Sequence, residues 1–184
     1  MGKKTVTDQK SKKTKDTYIT ETEFMENNFL QDKSVIIAHT KLIDNIEFAD
    51  LIKIDYSNKK IYLIHIKRGF DASVRDLSYQ MIFSYDILQR ARTQGIYEKI
   101  KELYDKLEEN EKNKITKEDF IKMFKEYDIV YVFTFDDETT SSRNIEVDLE
   151  KFESNIAKGV LLDLIKFYNI ENMKFEIVQL EVIK

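Results

Sequence analysis

The chain has no cysteine and no proline, and only four glycines and two histidines among 184 residues. The absence of cysteine excludes disulfides, thiolate metal sites and a cysteine nucleophile. Two histidines, His39 and His65, cannot build an all-histidine zinc site. Any bound metal must therefore rely mostly on carboxylate oxygens, which suit Mg²⁺ or Mn²⁺. No apolar run approaches the roughly 20 residues of a membrane span. Residues 1–15 are basic and polar and lack the apolar stretch of a signal peptide. Residues 1–17 read as a disordered basic leader, with too little apolar surface to offset the entropy of ordering, and 18–184 as one domain. The cytoplasm is the natural compartment for such a chain. An excess of positive charge is also missing: the net charge is −4. That argues against a protein that coats nucleic acid non-specifically, but not against a nuclease, whose basic surface can be local.

What is present is an ordinary folded-domain composition, 42% hydrophobic and 35% charged. Thr20 and Glu23 have capping-box spacing and open a first helix. A short strand fits 34–42, with Val35, Ile36 and Ile37 at its centre. In 46–56 the alternation of Ile46, Phe48, Asp50, Ile52 and Ile54 predicts a second strand. A polar turn, Ser57-Asn58-Lys59-Lys60, leads to a third strand over 61–67, and the two read as a hairpin. A helix is expected over 74–93, with Leu77, Met81, Tyr85 and Leu88 on one stripe. A charged helical insertion occupies about 97–127, a strand 129–135, a polar loop 136–144, a helix 149–168 and a last strand 174–183. The fold class is α/β, a mixed sheet flanked by helices.

Asp50, His65 and Lys67 are the residues that could carry chemistry. A strand has period two, so His65 and Lys67 share a face, and the hairpin can bring Asp50 beside them. Phosphodiester cleavage uses such a set: a carboxylate to hold a divalent cation and a lysine to orient or deprotonate the attacking water, or to neutralise charge. The same lysine could instead simply bind phosphate. Gln80 and Arg75, on the helix that follows, could overlook the site; Gln80 could fix a metal-bound water or a base edge, or only satisfy a backbone group. Glu23, Glu26 and Glu47 are further acids. Alternation puts Glu47 on the face opposite Asp50, and a bulge is needed to bring it in. Lys59, Lys60, Arg68 and Arg75 are candidate phosphate contacts. In the insertion, Ile100, Leu103, Leu107, Phe120 and Phe124 could form a homodimer face or bury against the sheet.

The order helix, three strands, helix, strand, with Asp50, then Ile64-His65-Ile66-Lys67, then Gln80 and Tyr85, resembles the PD-(D/E)XK nuclease superfamily, whose core is restriction-endonuclease-like. Gln80 and Tyr85 look like the glutamine and tyrosine that follow the lysine in RecB-like members. The segments Ile46-Glu47-Phe48-Ala49-Asp50-Leu51 and Leu63-Ile64-His65-Ile66-Lys67-Arg68, with Leu77 through Ser84 and the tail 161–183, are similar to the C-terminal part of sporadically distributed bacterial proteins of the DUF6119 type. The resemblance implies a metal-dependent nuclease acting on DNA, in defence against phage or mobile DNA. Asp50 and His65 would be metal ligands, and Lys67 and Gln80 catalytic. His65 departs from the superfamily's usual Asp or Glu; it brings no negative charge and makes Mn²⁺ a cofactor to test beside Mg²⁺. The alternative is a nuclease-fold module that binds nucleic acid or a protein partner without cutting.

Overall fold

The computed structural model describes residues 3–7, 14–18, 20–136 and 149–180. Strands β1 (Lys3–Thr7) and β2 (Thr14–Tyr18) pair antiparallel as a separate two-stranded sheet, within the segment that composition marks as an unstructured leader. Both strands contain β-branched threonines, which favour the extended backbone.

Helix α1 (Glu21–Phe29) begins at the capping box foreseen from sequence: the Thr20 hydroxyl accepts from the Glu23 N–H, and the Glu23 carboxylate accepts from the Thr20 N–H. The main sheet follows, built from β3 (Val35–Ile37), β6 (Leu51–Asp55), β7 (Lys60–Arg68), β8 (Asp128–Asp136) and β9 (Lys174–Leu180) in that order. The first three are antiparallel neighbours; β8 runs parallel to β7, and β9 parallel to β8. Helix α2 (Val74–Gln94) makes the crossover from β7, and Gly95, at φ +69°, ends it in the left-handed conformation. Three helices of the insertion come next: α3 (Glu98–Lys106), α4 (Glu109–Lys112) and α5 (Lys117–Glu126). A 3₁₀ turn (Leu149–Lys151) and α6 (Asn155–Ile170) connect β8 to β9. The polar loop expected over 136–144 and the last residues of the expected final strand lie outside the described residues, apart from Asp136 at the end of β8.

Alternation along β7 sorts its side chains to two cores. Ile61 and Leu63 join the large core with Leu77, Met81 and Leu88 of α2 and with Leu161, Leu164 and Tyr168 of α6. Ile66 joins the small core with Met25 of α1, Val35 and Leu51. The insertion belongs to the large core. Ile100, Leu103, Leu107, Phe120 and Phe124 are all buried in it, so they cannot form the dimer face that was one reading of their spacing. Arg92 of α2 fastens the insertion by donating to the Phe124 and Tyr127 carbonyls at the C-terminus of α5, where free acceptors and the helix dipole favour a cation.

The second expected strand is not continuous. Leu42–Ile43 (β4) and Ile46–Glu47 (β5) form a small hairpin of their own, and β6 starts only at Leu51. The hairpin turn is Asp44-Asn45, with φ +49° and +65°. A two-residue turn with both central residues at positive φ matches strand twist, and Asp and Asn tolerate it. The consequence falls on the residues between β5 and β6.

Candidate metal centre

Phe48, Ala49 and Asp50 bridge the two short strands and are all buried. Asp50 is fixed on both sides: its N–H donates to Ile64 O at 3.0 Å and its carbonyl accepts from Ala38 N–H at 2.9 Å. Its side chain turns to the end of β7, where Oδ2 accepts the Ile66 N–H at 2.7 Å. The other oxygen, Oδ1, lies 2.7 Å from Nδ1 of His39. The same nitrogen is 3.1 Å from Glu47 Oε1. An imidazole thus sits between two carboxylates, and one ligand atom from each of His39, Glu47 and Asp50 lies within 4.8 Å of the others.

Backbone strain assists this arrangement. Thr40, directly after His39, has φ +64°, rare for a β-branched residue. The turn aims the Thr40 N–H at the Glu47 carboxylate, so two consecutive residues address one acid. The insertion clamps the same loop from outside: Lys99 meets Asp44 at 2.5 Å, Lys106 donates to Leu42 O at 2.6 Å, and Lys41 pairs with Glu108.

Electrostatics follow from the geometry. Hydrogen bonds to Asp50, then to Glu47, raise the His39 pKa to about 10, so its imidazolium offsets both acids at neutral pH. Burial acts upward on Glu47, but the bonds from His39 and the Thr40 N–H outweigh it and hold that carboxyl below its usual range. At Asp50 burial dominates and pushes the carboxyl up, against the pull of His39 and the Ile66 N–H.

The sequence placed His65 among the ligands, but the structure puts His39 on the Asp50 carboxylate instead. His65 is fully buried, with neither ring nitrogen hydrogen-bonded to any described residue. Burial lowers its pKa to about 4, against a smaller upward effect of the Glu47 charge. A histidine whose pKa is depressed on folding binds fewer protons folded than unfolded, so stability rises with pH between about 4 and 6.5 and falls on acidification through that window. His39, with a raised pKa, contributes fully below 6.5 and adds no slope there. We therefore expect His65→Leu to flatten the stability curve between pH 5 and 6.5, measured by urea unfolding; a wild-type slope retained in the variant would contradict an imidazole held neutral by burial.

Gln80 does reach the site. Its Nε2 lies 3.4 Å from Glu47 Oε2, a long contact from the helix onto the acid. Glu47 itself was expected on the wrong face; the gap between β5 and β6 does what a bulge would have done. Lys67 is half-buried next to Ile66; its ammonium makes no side-chain hydrogen bond among the described residues, and its charge helps to hold the Asp71 carboxyl down. Glu23 is committed to the α1 cap. Glu26 lines a cleft of about 510 Å³ that also holds His39 and Lys41, together with Glu108, Glu109 and Glu111 of the insertion. Tyr85 is away from the site: its hydroxyl donates to Glu171, and its ring packs on Tyr131, Phe167 and Tyr168.

The four candidate phosphate contacts separate. Arg68 ends β7 on the side of Asp50, and Arg75 is exposed in the first turn of α2. Lys59 and Lys60 stand at the opposite end of β7; the six-residue advance from Lys60 to Ile66 spans about 20 Å. No single basic patch joins all four to the site. Among the described residues no helix is long and apolar enough to cross a membrane. No family model, no curated protein and no solved structure matches the chain.

Proposed function

We propose that the chain is a metal-dependent nuclease-like protein that cleaves phosphodiester bonds of DNA, with the cation held by His39, Glu47 and Asp50. The observation that carries this reading is the convergence of one imidazole nitrogen and two carboxylates within 4.8 Å. Two oxygen donors and one nitrogen, once a cation displaces the proton from the His39 ring, suit Mn²⁺ or Mg²⁺ better than a thiolate-seeking metal. A cation there would polarise a phosphate oxygen and lower the pKa of a bound water. The chain's own residues supply the rest. Asp50 is held rigid by backbone bonds to two neighbouring segments. Gln80 steadies Glu47. Lys67, near the end of β7 and without a side-chain hydrogen bond among the described residues, is available to orient the nucleophile or to meet a phosphate. The order of α1, β3, β6, β7, α2 and β8, with an acid before the second of these strands and a lysine on the third, supports a restriction-endonuclease-like arrangement. A role in defence against phage or mobile DNA belongs to this reading through the resemblance alone.

One observation favours a second reading. His39 already neutralises the two acids, and the cleft it opens into carries four glutamates, which disfavour an approaching phosphate. A non-cutting module that binds a protein partner there, or a nucleic acid through another face, would have that character. Incubation of plasmid and single-stranded DNA with Mg²⁺ or Mn²⁺ separates the two. The nuclease reading expects metal-dependent nicking that falls by about 10²-fold or more in Lys67→Ala. Absence of cutting with either metal, by a folded protein, would leave the binding module.

A further inference from the structure

A cleft of about 710 Å³ lies at the far end of the sheet from the acids, between the β6–β7 turn and the insertion. That size is in the range of small-molecule sites. Two tyrosines, Tyr56 and Tyr127, and four lysines, Lys59, Lys112, Lys114 and Lys122, line it. Two acids, Asp119 and Glu126, share the lining with the four lysines.

The lysines are not equivalent. Lys114 is spent on Glu111 and on the Val35 carbonyl, and Lys112 on Glu109. Lys59 and Lys122 have no side-chain partner among the described residues, and both are exposed. Tyr56 is 52% exposed, so an aromatic face is open to solvent beside them.

Lys59 is also in the wrong conformation for a lysine. It has φ +49°, in a turn where the Asp55 carboxylate holds the Asn58 N–H at 3.0 Å. Glycine fits that left-handed position without cost, and lysine does not. The fold alone would be served better by glycine there; an ammonium group at the mouth of a tyrosine-lined cleft is what lysine adds.

We propose that this cleft is a nucleotide site, in which Lys59 and Lys122 meet the phosphate and Tyr56 stacks on the base, with Tyr127 completing the aromatic wall. Aromatic rings accept any base by stacking, and lysines bind phosphate as point charges. The nucleotide is either free or the 5′-phosphorylated end of a strand; the chemistry is shared. Along β7, Lys60 beside this cleft is about 20 Å from Ile66 beside the acids.

The test is calorimetric titration of the full chain in EDTA, where no metal-dependent cutting can occur. The probes are ATP, a 5′-phosphorylated oligothymidylate and the same strand with a 5′-hydroxyl, each against wild type, Lys59→Gly and Lys122→Gln. We expect binding of ATP or of the phosphorylated strand, weakened by about tenfold or more in each variant. Lys59→Gly should melt at or above the wild-type temperature, which shows that the loss is not unfolding. Preference for ATP assigns a free nucleotide, and preference for the phosphorylated over the hydroxyl strand assigns a strand end. No binding of either phosphorylated probe, or binding that survives both substitutions, overturns the proposal. Neither outcome depends on whether the acids at the other end hold a metal.

Discussion

Asp50→Asn is expected to abolish metal-dependent cleavage, with a fall of about 10³-fold or more, while the protein remains folded. The carboxamide is isosteric, and its oxygen can still accept the Ile66 N–H that Asp50 Oδ2 now accepts at 2.7 Å. The backbone bonds to Ile64 and Ala38 do not involve the side chain at all. What is lost is one of the two negative charges that would hold a cation, together with one of the two acids that bracket His39. On the proposed reading, loss of a charge that would meet a cation removes an interaction that would stabilise the transition state, and effects on the order of several kcal/mol are ordinary at such sites. The neutral amide escapes the desolvation cost that pushes the Asp50 carboxyl up, but it also removes the strongest partner of the His39 imidazolium, so the melting temperature should fall while the protein stays folded at low temperature. Cleavage rates and melting temperatures of the two proteins, measured side by side, check this. Cutting that persists in the variant would place the chemistry elsewhere.

A second large effect is expected far from any acid. Phe124 is fully buried in α5 and packs edge-on against Phe120 at 5.0 Å and Phe48 at 6.0 Å between ring centroids. Phe48 lies between the two carboxylate residues, Glu47 and Asp50. The insertion therefore supports the segment that carries both acids through one aromatic contact. Phe124→Ala should cost about 3–5 kcal/mol, from lost transfer energy and the cavity left behind. In a chain of this length that corresponds to a fall in melting temperature of about 6–20 °C. Because the cavity opens beneath Phe48, any metal affinity should weaken too, in protein still folded at low temperature. Tyr168→Phe makes a useful contrast: it removes only a buried hydroxyl that donates to Met81 O at 3.1 Å, in a part of the core remote from the acids. It should lower stability by about 1 kcal/mol and leave metal binding unchanged.

Much of the framework could be read from the residues. The α1 capping box, the β6–β7 hairpin, the long α2, the charged insertion and the apolar β8 each have a local pattern strong enough to survive packing. Asp50 and Gln80 were legible as site residues because one is an acid in an apolar strand pattern and the other follows the lysine-bearing strand on the next helix. Glu47 was legible only as a further acid that a bulge would have to bring in, and His39 was not legible as a candidate ligand. Ile46, Phe48, Asp50, Ile52 and Ile54 alternate without interruption, and alternation predicts one continuous strand with Glu47 facing away. Nothing such as glycine or proline marks the break before Leu51. The only local signal was Asp44-Asn45, a residue pair that suits a two-residue hairpin turn, and this turn is what folds Glu47 back over His39. His65 misled for a related reason. Strand periodicity correctly gave it the same face as Lys67, but that face at position 65 is interior, and the ring is buried with its nitrogens unpartnered among the described residues. Periodicity tells which side a residue faces; it does not tell what covers that side. The scatter of the lysines is likewise topological: Lys59 and Lys67 are close in sequence, but an extended strand lies between them.

The insertion shows how packing overrides a composition-based reading. Its helices carry many charges, yet their apolar faces complete the large core rather than a partner surface. Their charged faces do local work. Glu111 is buried at the sheet margin and accepts the Ile37 N–H at 2.9 Å, while Lys114 donates to Val35 O at 2.8 Å. Side chains of the insertion thus satisfy backbone groups of β3, the edge strand, that a sixth strand would otherwise take.

The central claim is that His39, Glu47 and Asp50 form one metal centre, and Mn²⁺ binding followed by electron paramagnetic resonance tests it most directly. The expected result is one Mn²⁺ per chain in the wild type, with loss of that site in Asp50→Asn and in Glu47→Gln and no loss in Lys59→Gly. A wild-type protein that leaves the free Mn²⁺ signal unchanged at millimolar metal would contradict the claim, as would binding that survives both acid substitutions.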